Sequence, residues 1–329
     1  MAEVERTLGR RITPIDTPGQ YEAIESDLDQ SLYIVAGPGS GKTTVMALRV
    51  LKLIYVNGVD PSTILVTTFT KKAAAELVSR ILGWGDQLRM AFIEDPSYSD
   101  QCESLQAVDF NQIIVGTLDS ISETLLQEYR EPGSPSPVIV EEFIANAMMV
   151  RYGLLQGGRY RNEDLFNYIA SLRGNRWGLN VGTMGVTLLE IKDRIFHDLV
   201  DIDQYSESKE HPGIPVACEA IRAYLQALDE RFLYDYAKVE QEFYKKLVDN
   251  LLPEFTTKIR FVLVDEYQDT NLLQERIYFE LARNALRNEG SVTVVGDDDQ
   301  SIYRFRGATV DLFTTFQARI EQALKIQPK

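Results

Sequence analysis

Residues 33–44 read YIVAGPGSGKTT, an apolar run that passes straight into a glycine-rich turn closed by Lys-Thr. Gly37, Gly39 and Gly41 reach backbone angles that a Cβ resists, so the loop Gly37-Pro38-Gly39-Ser40-Gly41 can aim several N–H groups at one anion. A helix starting near Lys42 points its positive dipole end at the same spot. There the Lys42 ammonium would neutralise the β- and γ-phosphate oxygens of a nucleoside triphosphate. Thr43 would offer its hydroxyl to Mg²⁺, and Thr44 completes the loop. Ala36 stands where the strict pattern has its first glycine, a change the loop geometry tolerates. Glycine-rich turns alone are common; strand, glycines, Lys-Thr and helix in one register are not.

Two further strand ends carry chemistry. Residues 261–271 read FVLVDEYQDTN, where an apolar run ends in Asp265 and Glu266. Asp265 suits Mg²⁺, which prefers hard oxygens and keeps its waters, and Glu266 is placed to orient or deprotonate an attacking water. Residues 294–308 read VVGDDDQSIYRFRGA. Here Gln300 would sense a γ-phosphate, while Tyr303, Phe305 and Arg306, with Arg304 between them, could stack on nucleobases without reading sequence. The candidate catalytic set is therefore Lys42, Asp265, Glu266 and Gln300.

These groups need a scaffold that gathers strand ends. Five short Val/Ile/Leu-rich runs, at 31–36, 64–69, 112–116, 260–264 and 291–295, have the character of strands buried on both faces. Helical spacing follows the first at 42–56 and the fourth at 272–287, and again covers 310–324. Alternating strands and helices predict an α/β fold with a parallel sheet flanked by helices, its ligand site at the carboxyl ends of the strands. Between the third and fourth runs the period changes to 3.6 residues, with helices expected at 138–152, 163–172, 184–199 and 216–230. The piece EPGSPSP at 131–137 reads as an entry linker. We expect an α/β domain in two parts, 1–130 and 232–329, interrupted by an all-helical insertion at 131–231.

Composition bounds the rest. The 329 residues carry a net charge of −15, which argues against a general affinity for nucleic acid. Any such contact must be a local basic or aromatic track. One candidate lies in the insertion, where Arg151, Arg159, Arg161, Arg173 and Arg176 mingle with Tyr152, Tyr160 and Trp177. Cys102 and Cys218 fit no CxxC pattern, and His197 and His211 are the only histidines, so thiolate and imidazole metal sites are not expected. The chain has no long apolar run and no signal-like start, so no membrane partner is expected and a cytoplasmic, monomeric protein is.

In this order, the three strand-end motifs with an insertion between the first two resemble the UvrD/PcrA/Rep-type DNA helicases of superfamily 1. The sequence TPGQYEAI at 17–24 resembles that family's Q motif, in which Gln20 would read the adenine edge. TFTKKAAAEL at 68–77 resembles motif Ia, which implies that Phe69 stacks on single-stranded DNA with Thr68 and Thr70 near its backbone. GTLDS at 116–120 takes the place of motif Ib, with the Thr117 and Ser120 hydroxyls toward DNA. LYDYAKVEQEFYKKL at 233–247 is loosely similar to the motif that leads back from the insertion. The resemblance implies a RecA-like P-loop domain, ATP and Mg²⁺ as cofactors, and 3′→5′ movement on single-stranded DNA and at single-strand/duplex junctions. Three residues depart from the family pattern: Lys71 replaces a common Asn, Asp119 a common His beside DNA phosphate, and Thr44 an Arg that packs on adenine. Nothing resembles motifs IV to VI, so a second RecA-like domain is expected to be missing from a truncated motor. The rival expectations are an ATP-binding switch that hydrolyses little and the motor portion of a helicase–nuclease.

Overall fold

The computed structural model describes residues 1–130, 133–174, 177–297, 310–326 and 328. Its strands are β1 (Leu32–Val35), β2 (Ile64–Thr67), β3 (Ile114–Gly116), β4 (Val138–Ile139), β5 (Leu233–Tyr234), β6 (Phe261–Val264) and β7 (Ser291–Gly296). Five of them form one parallel sheet, as the alternating pattern predicts, and the structure orders it β1-β7-β6-β2-β3. Register is tight: Leu32 lies beside Thr293, and Val264 beside both Thr67 and Val294.

Both faces of this sheet are covered, which explains the unbroken apolar runs. In β6, Val262 and Val264 join one core with Leu65, Val292, Val294, Phe313 and Phe316. Phe261 and Leu263 point the other way into a core with Ile64, Val66, Met46, Val50 and Leu77. Alternate residues of one strand thus feed opposite cores, and a polar residue on either face would be buried without water.

A third core, built on Met149, Ile169, Leu188, Ala217, Ile221 and Tyr224, belongs to the helical stretch between β4 and β5. The expected helix at 138–152 is corrected here. Its first two residues are strand β4, which pairs in parallel with β5, and Val140 N–H donates to the Tyr234 carbonyl at 2.8 Å. The β-branched Val138-Ile139-Val140 after Pro137 favours extended backbone, but two residues are too few to register as a period. The helix proper is Glu142–Met148, continuing as a π-helical turn Met149–Leu155. Gly153 there packs so closely that an added Cβ would lie 3.0 Å from the Ala220 carbonyl oxygen. The other helices of this block are Glu163–Arg173, Val181–His197 and Ile214–Asp229, within a few residues of their predicted bounds. The last predicted helix is two, Val310–Thr314 and Phe316–Leu324.

The helical block is tied to the returning chain by a buried ion pair. Lys192, 1% exposed, bonds the Asp235 carboxylate, which also accepts from the Tyr224 hydroxyl at 2.8 Å and caps helix Tyr236–Val248 through Lys238 N–H at 3.0 Å. Burial opposes the Lys192 charge, but Asp235 and Asp193 outweigh it and hold its pKa above the ordinary value. At the other end of the domain, Arg319 forks onto the fully buried Glu275 carboxylate at 2.9–3.0 Å, and the Tyr267 hydroxyl donates to the same group at 3.2 Å.

Candidate nucleotide site and nucleic-acid groove

The carboxyl ends of β1, β6 and β7 meet at the phosphate loop. Gly39 and Gly41 adopt φ of 71° and 85°, the left-handed region that favours glycine. Gly41 is the N-cap of helix Lys42–Tyr55, so the loop and the helix dipole converge as the sequence predicts. A Cβ at Gly41 would also lie 2.9 Å from the Gln20 amide nitrogen, which donates to the Ser40 carbonyl at 2.6 Å. Gln20, on helix Pro18–Glu25, is thereby held against the loop.

Lys42 Nζ donates to the Ala36 carbonyl at 3.0 Å and sits 3.6 Å from the Asp297 carboxylate at the end of β7. Asp265 is 6% exposed, and its N–H bonds the Thr67 carbonyl across the sheet. Burial, and then the neighbouring Glu266 charge, push its carboxyl up to about 6; the Glu266 N–H and Lys42 pull the other way. Glu266 itself has φ 55° and ψ 42°, a left-handed backbone in a residue with a side chain, the kind of strain that concentrates at functional sites. Its carboxylate accepts from Gln268 Nε2 at 2.6 Å. Thr43 and Asp265 offer a hydroxyl and a carboxylate, hard donors that fit Mg²⁺. The described residues hold no group of three or more His, Cys, Asp or Glu that would cage a metal without phosphate.

An open cleft of about 410 Å³ is lined by Gly37, Pro38, Gly39, Ser40, Gly41, Lys42, Thr43, Thr44 and Glu266, and by two residues that sequence reading passed over, Arg10 and Arg80. Arg80 donates to the Thr44 hydroxyl at 3.3 Å, and both guanidiniums lie over the Trp84 ring, at 5.0 Å for Arg10 and 5.8 Å for Arg80. Arg80 comes from the long helix Lys71–Glu94 and brings a guanidinium to Thr44 at the edge of the loop. Arg10 comes from the segment before Gln20. No local motif marks either residue, because only the tertiary fold brings them to the loop.

A second cleft lies beside the ends of β2 and β3, lined by Phe69, Lys71, Thr117, Asp119, Ser120, Glu123 and Tyr236. Phe69 and Ser120 are half-buried and line it. The three threonines do structural work as well: Thr68 is 3% exposed, Thr70 caps helix Lys71–Glu94 through Ala73 N–H, and Thr117 caps helix Leu118–Glu128 through Ser120 N–H. Tyr236, 44% exposed, is an aromatic that the motifs did not single out. Asp119 sits in the first turn of its helix, where a carboxylate complements the dipole, and within hydrogen-bond reach of the buried Glu240. Burial first, and Asp119 second, raise the Glu240 carboxyl well above the usual range.

In the helical block the Arg159 guanidinium donates to the Gly153 and Gln156 carbonyls at 3.2 and 2.8 Å, and Arg173 to the Thr187 hydroxyl at 2.7 Å. Arg151 lies 5.2 Å over Tyr152, and Arg161 5.1 Å over Tyr160. Trp177 is 92% exposed. Gln300, Tyr303, Arg304, Phe305, Arg306 and Arg176 lie outside the described residues. No helix of the described residues is long and apolar enough to cross a membrane.

Known proteins are similar to this sequence. A "Probable DNA helicase" of Mycoplasma pneumoniae is 29% identical over 284 residues, 85% of this chain and 46% of that protein. The "ATP-dependent DNA helicase UvrD1" of Mycobacterium tuberculosis is 30% identical over 312 residues, 91% of this chain and 35% of its own length. "DNA helicase II" of Haemophilus influenzae is 29% identical over 302 residues, 90% of this chain and 36% of the relative. The chain thus spans between about a third and a half of these relatives. A family model described as the UvrD/REP helicase N-terminal domain matches residues 16–321, so this parallel sheet with its phosphate loop and Asp-Glu strand end belongs to the UvrD/REP helicase family.

Proposed function

We propose that the chain binds and hydrolyses ATP with Mg²⁺ in the cleft around Lys42 and couples that hydrolysis to movement along single-stranded DNA. The observation that carries this reading is the convergence of Lys42, Asp265, Glu266 and Asp297 at three adjacent strand ends beside a glycine loop in left-handed conformation. In this reading the γ-phosphate takes over the Lys42 ammonium from Ala36 and Asp297, and Gln20 orients the base at the loop's edge. Thr43 and Asp265 would hold Mg²⁺, which would supply charge neutralisation on the phosphate oxygens. Glu266 holds and deprotonates the attacking water, its open side facing the cleft. Residues 1–130 and 232–329 form the nucleotide-binding domain, and 131–231 the helical insertion with a core of its own.

DNA would run through the Phe69–Tyr236 cleft, with bases on the two rings and backbone near Lys71 and Ser120, and continue onto the 303–306 segment. Movement 3′→5′, a preference for single-strand/duplex junctions, a monomeric state and a cytoplasmic location follow the family resemblance and share its test. ATP hydrolysis is measured with and without oligothymidylate, alongside nucleotide binding. Binding with DNA-stimulated hydrolysis supports the motor; binding with no hydrolysis under either condition replaces it by the nucleotide-switch reading.

A further inference from the structure

The Gln268 amide spans two strand ends that the nucleotide reading uses separately. Its Nε2 donates to Glu266 Oε2 at 2.6 Å, and its Oε1 accepts from the Asp297 backbone N–H at 2.9 Å. A backbone N–H can only donate, so the oxygen must face Asp297 and the NH₂ must face Glu266; the amide has one orientation. The side chain is 2% exposed and cannot exchange these partners for water. Space for it is built in, since a Cβ on Gly296 would lie 2.8 Å from Gln268 Oε1 and 2.5 Å from the Phe313 ring. Glu266 needs such a tether, because its left-handed backbone gives the carboxylate no regular neighbour to set its direction.

We propose that Gln268 is the positioning residue for Glu266 and couples it to the end of β7. The inference rests on the ATP-hydrolysis reading above. Asp297 is 3.6 Å from Lys42, and residue 298 opens the segment that carries the candidate DNA contacts at 303–306. A shift at the end of β7 therefore moves the Asp297 N–H, the Gln268 amide and the Glu266 carboxylate together. The Lys42 side of the cleft and the Glu266 carboxylate are thus linked through a single side chain. Bridging a reacting carboxylate to a neighbouring strand end in this way is a positioning role, both ends of the Gln268 amide being taken by Glu266 and Asp297.

The test uses two substitutions in this chain. Gln268→Met keeps length and volume but loses both bonds; Gln268→Glu keeps an acceptor for Asp297 N–H and loses the donor to Glu266. Single-turnover hydrolysis of ATP–Mg²⁺, DNA stimulation by oligothymidylate, and affinity for a fluorescent ATP analogue are read together. Expected are nucleotide affinities within about threefold of the unsubstituted chain and hydrolysis slowed about 10–100-fold in both variants. DNA stimulation falls toward none in Gln268→Met, and adding that change to Glu266→Gln lowers the residual rate by less than about twofold. The proposal is overturned if both variants hydrolyse at the parental rate with full DNA stimulation, or if Gln268→Met slows the Glu266→Gln chain as much as it slows the parent. Should Gln268→Met fail to fold, Gln268→Glu decides by the same readouts, slowed hydrolysis supporting the proposal and the parental rate overturning it. If Glu266→Gln itself leaves hydrolysis intact, the hydrolysis reading falls, and the role of Gln268 with it.

Discussion

Replacing Lys192 by Met removes one charge from the deepest ion pair in the molecule while sparing its packing. The Lys192 ammonium lies over the Phe196 and Tyr224 rings, 5.6 and 5.7 Å from their centres, and a Met of similar length fills the same space without the charge. Asp193, the other neighbour at 2.8 Å, is 45% exposed and stays solvated. Asp235 is the group left stranded: 6% exposed, it retains only the Tyr224 hydroxyl and the Lys238 N–H. An uncompensated carboxylate at such a site costs about 3–5 kcal/mol, far more than the lost methylene contacts. Adding Asp235→Asn removes the stranded charge and keeps a helix-capping side chain, so the double variant should recover to within about 1 kcal/mol of the parent. Urea unfolding followed by circular dichroism reads both as shifts of midpoint at constant slope. A loss below about 1 kcal/mol in Lys192→Met, or a double variant no better than the single, refutes the view that this pair latches the helical block to the returning chain.

Two other substitutions probe buried charge. Glu240 carries a pKa well above its ordinary 4.5, through burial first and Asp119 second, so the folded chain holds a proton that the unfolded chain releases. Stability from this group is therefore greatest below about 4.5 and falls as pH rises toward the raised folded value. Glu240→Gln should flatten that decline in urea midpoints taken across pH; an unchanged slope would exclude a raised Glu240 carboxyl. Arg319→Leu strands Glu275 beneath Tyr267 and should cost about 3 kcal/mol, the low end for a buried pair because the guanidinium is partly solvated. A thermal midpoint unchanged in that variant would show that the last helix, Phe316–Leu324, does not brace the Asp-Glu strand end from behind.

The five sheet strands were legible because each is a short apolar run, and the central three, β2, β6 and β7, are buried on both faces, as Phe261 to Val264 show. Their order was not legible, since β7 enters between β1 and β6 through pairings as distant in sequence as Tyr33 with Val294. Strand β4 escaped notice because two residues make no period. The phosphate loop could be read because glycines and Lys42 act through local backbone geometry. Arg10 and Arg80 could not, as each reaches the loop only after its helix or segment has packed on Trp84. Asp119 looked in sequence like a charge facing DNA phosphate; the fold also sets it within hydrogen-bond reach of the buried Glu240, a partner far along the chain that no local pattern announces. Gln268 stood in the quoted motif as a spacer, and only the return of β7 alongside β6 supplies its second partner.

The central claim, that the cleft between the phosphate loop and the Asp265-Glu266 strand end is an ATP-hydrolysing site answering to DNA, rests on one comparison. ATP hydrolysis with Mg²⁺ is measured as oligothymidylate is titrated into the parent chain, Lys42→Ala and Glu266→Gln, with nucleotide binding recorded on the same samples. The account predicts DNA-stimulated hydrolysis in the parent, intact nucleotide binding without hydrolysis in Glu266→Gln, and loss of both in Lys42→Ala. Hydrolysis that survives Glu266→Gln, or nucleotide binding untouched by Lys42→Ala, would contradict it.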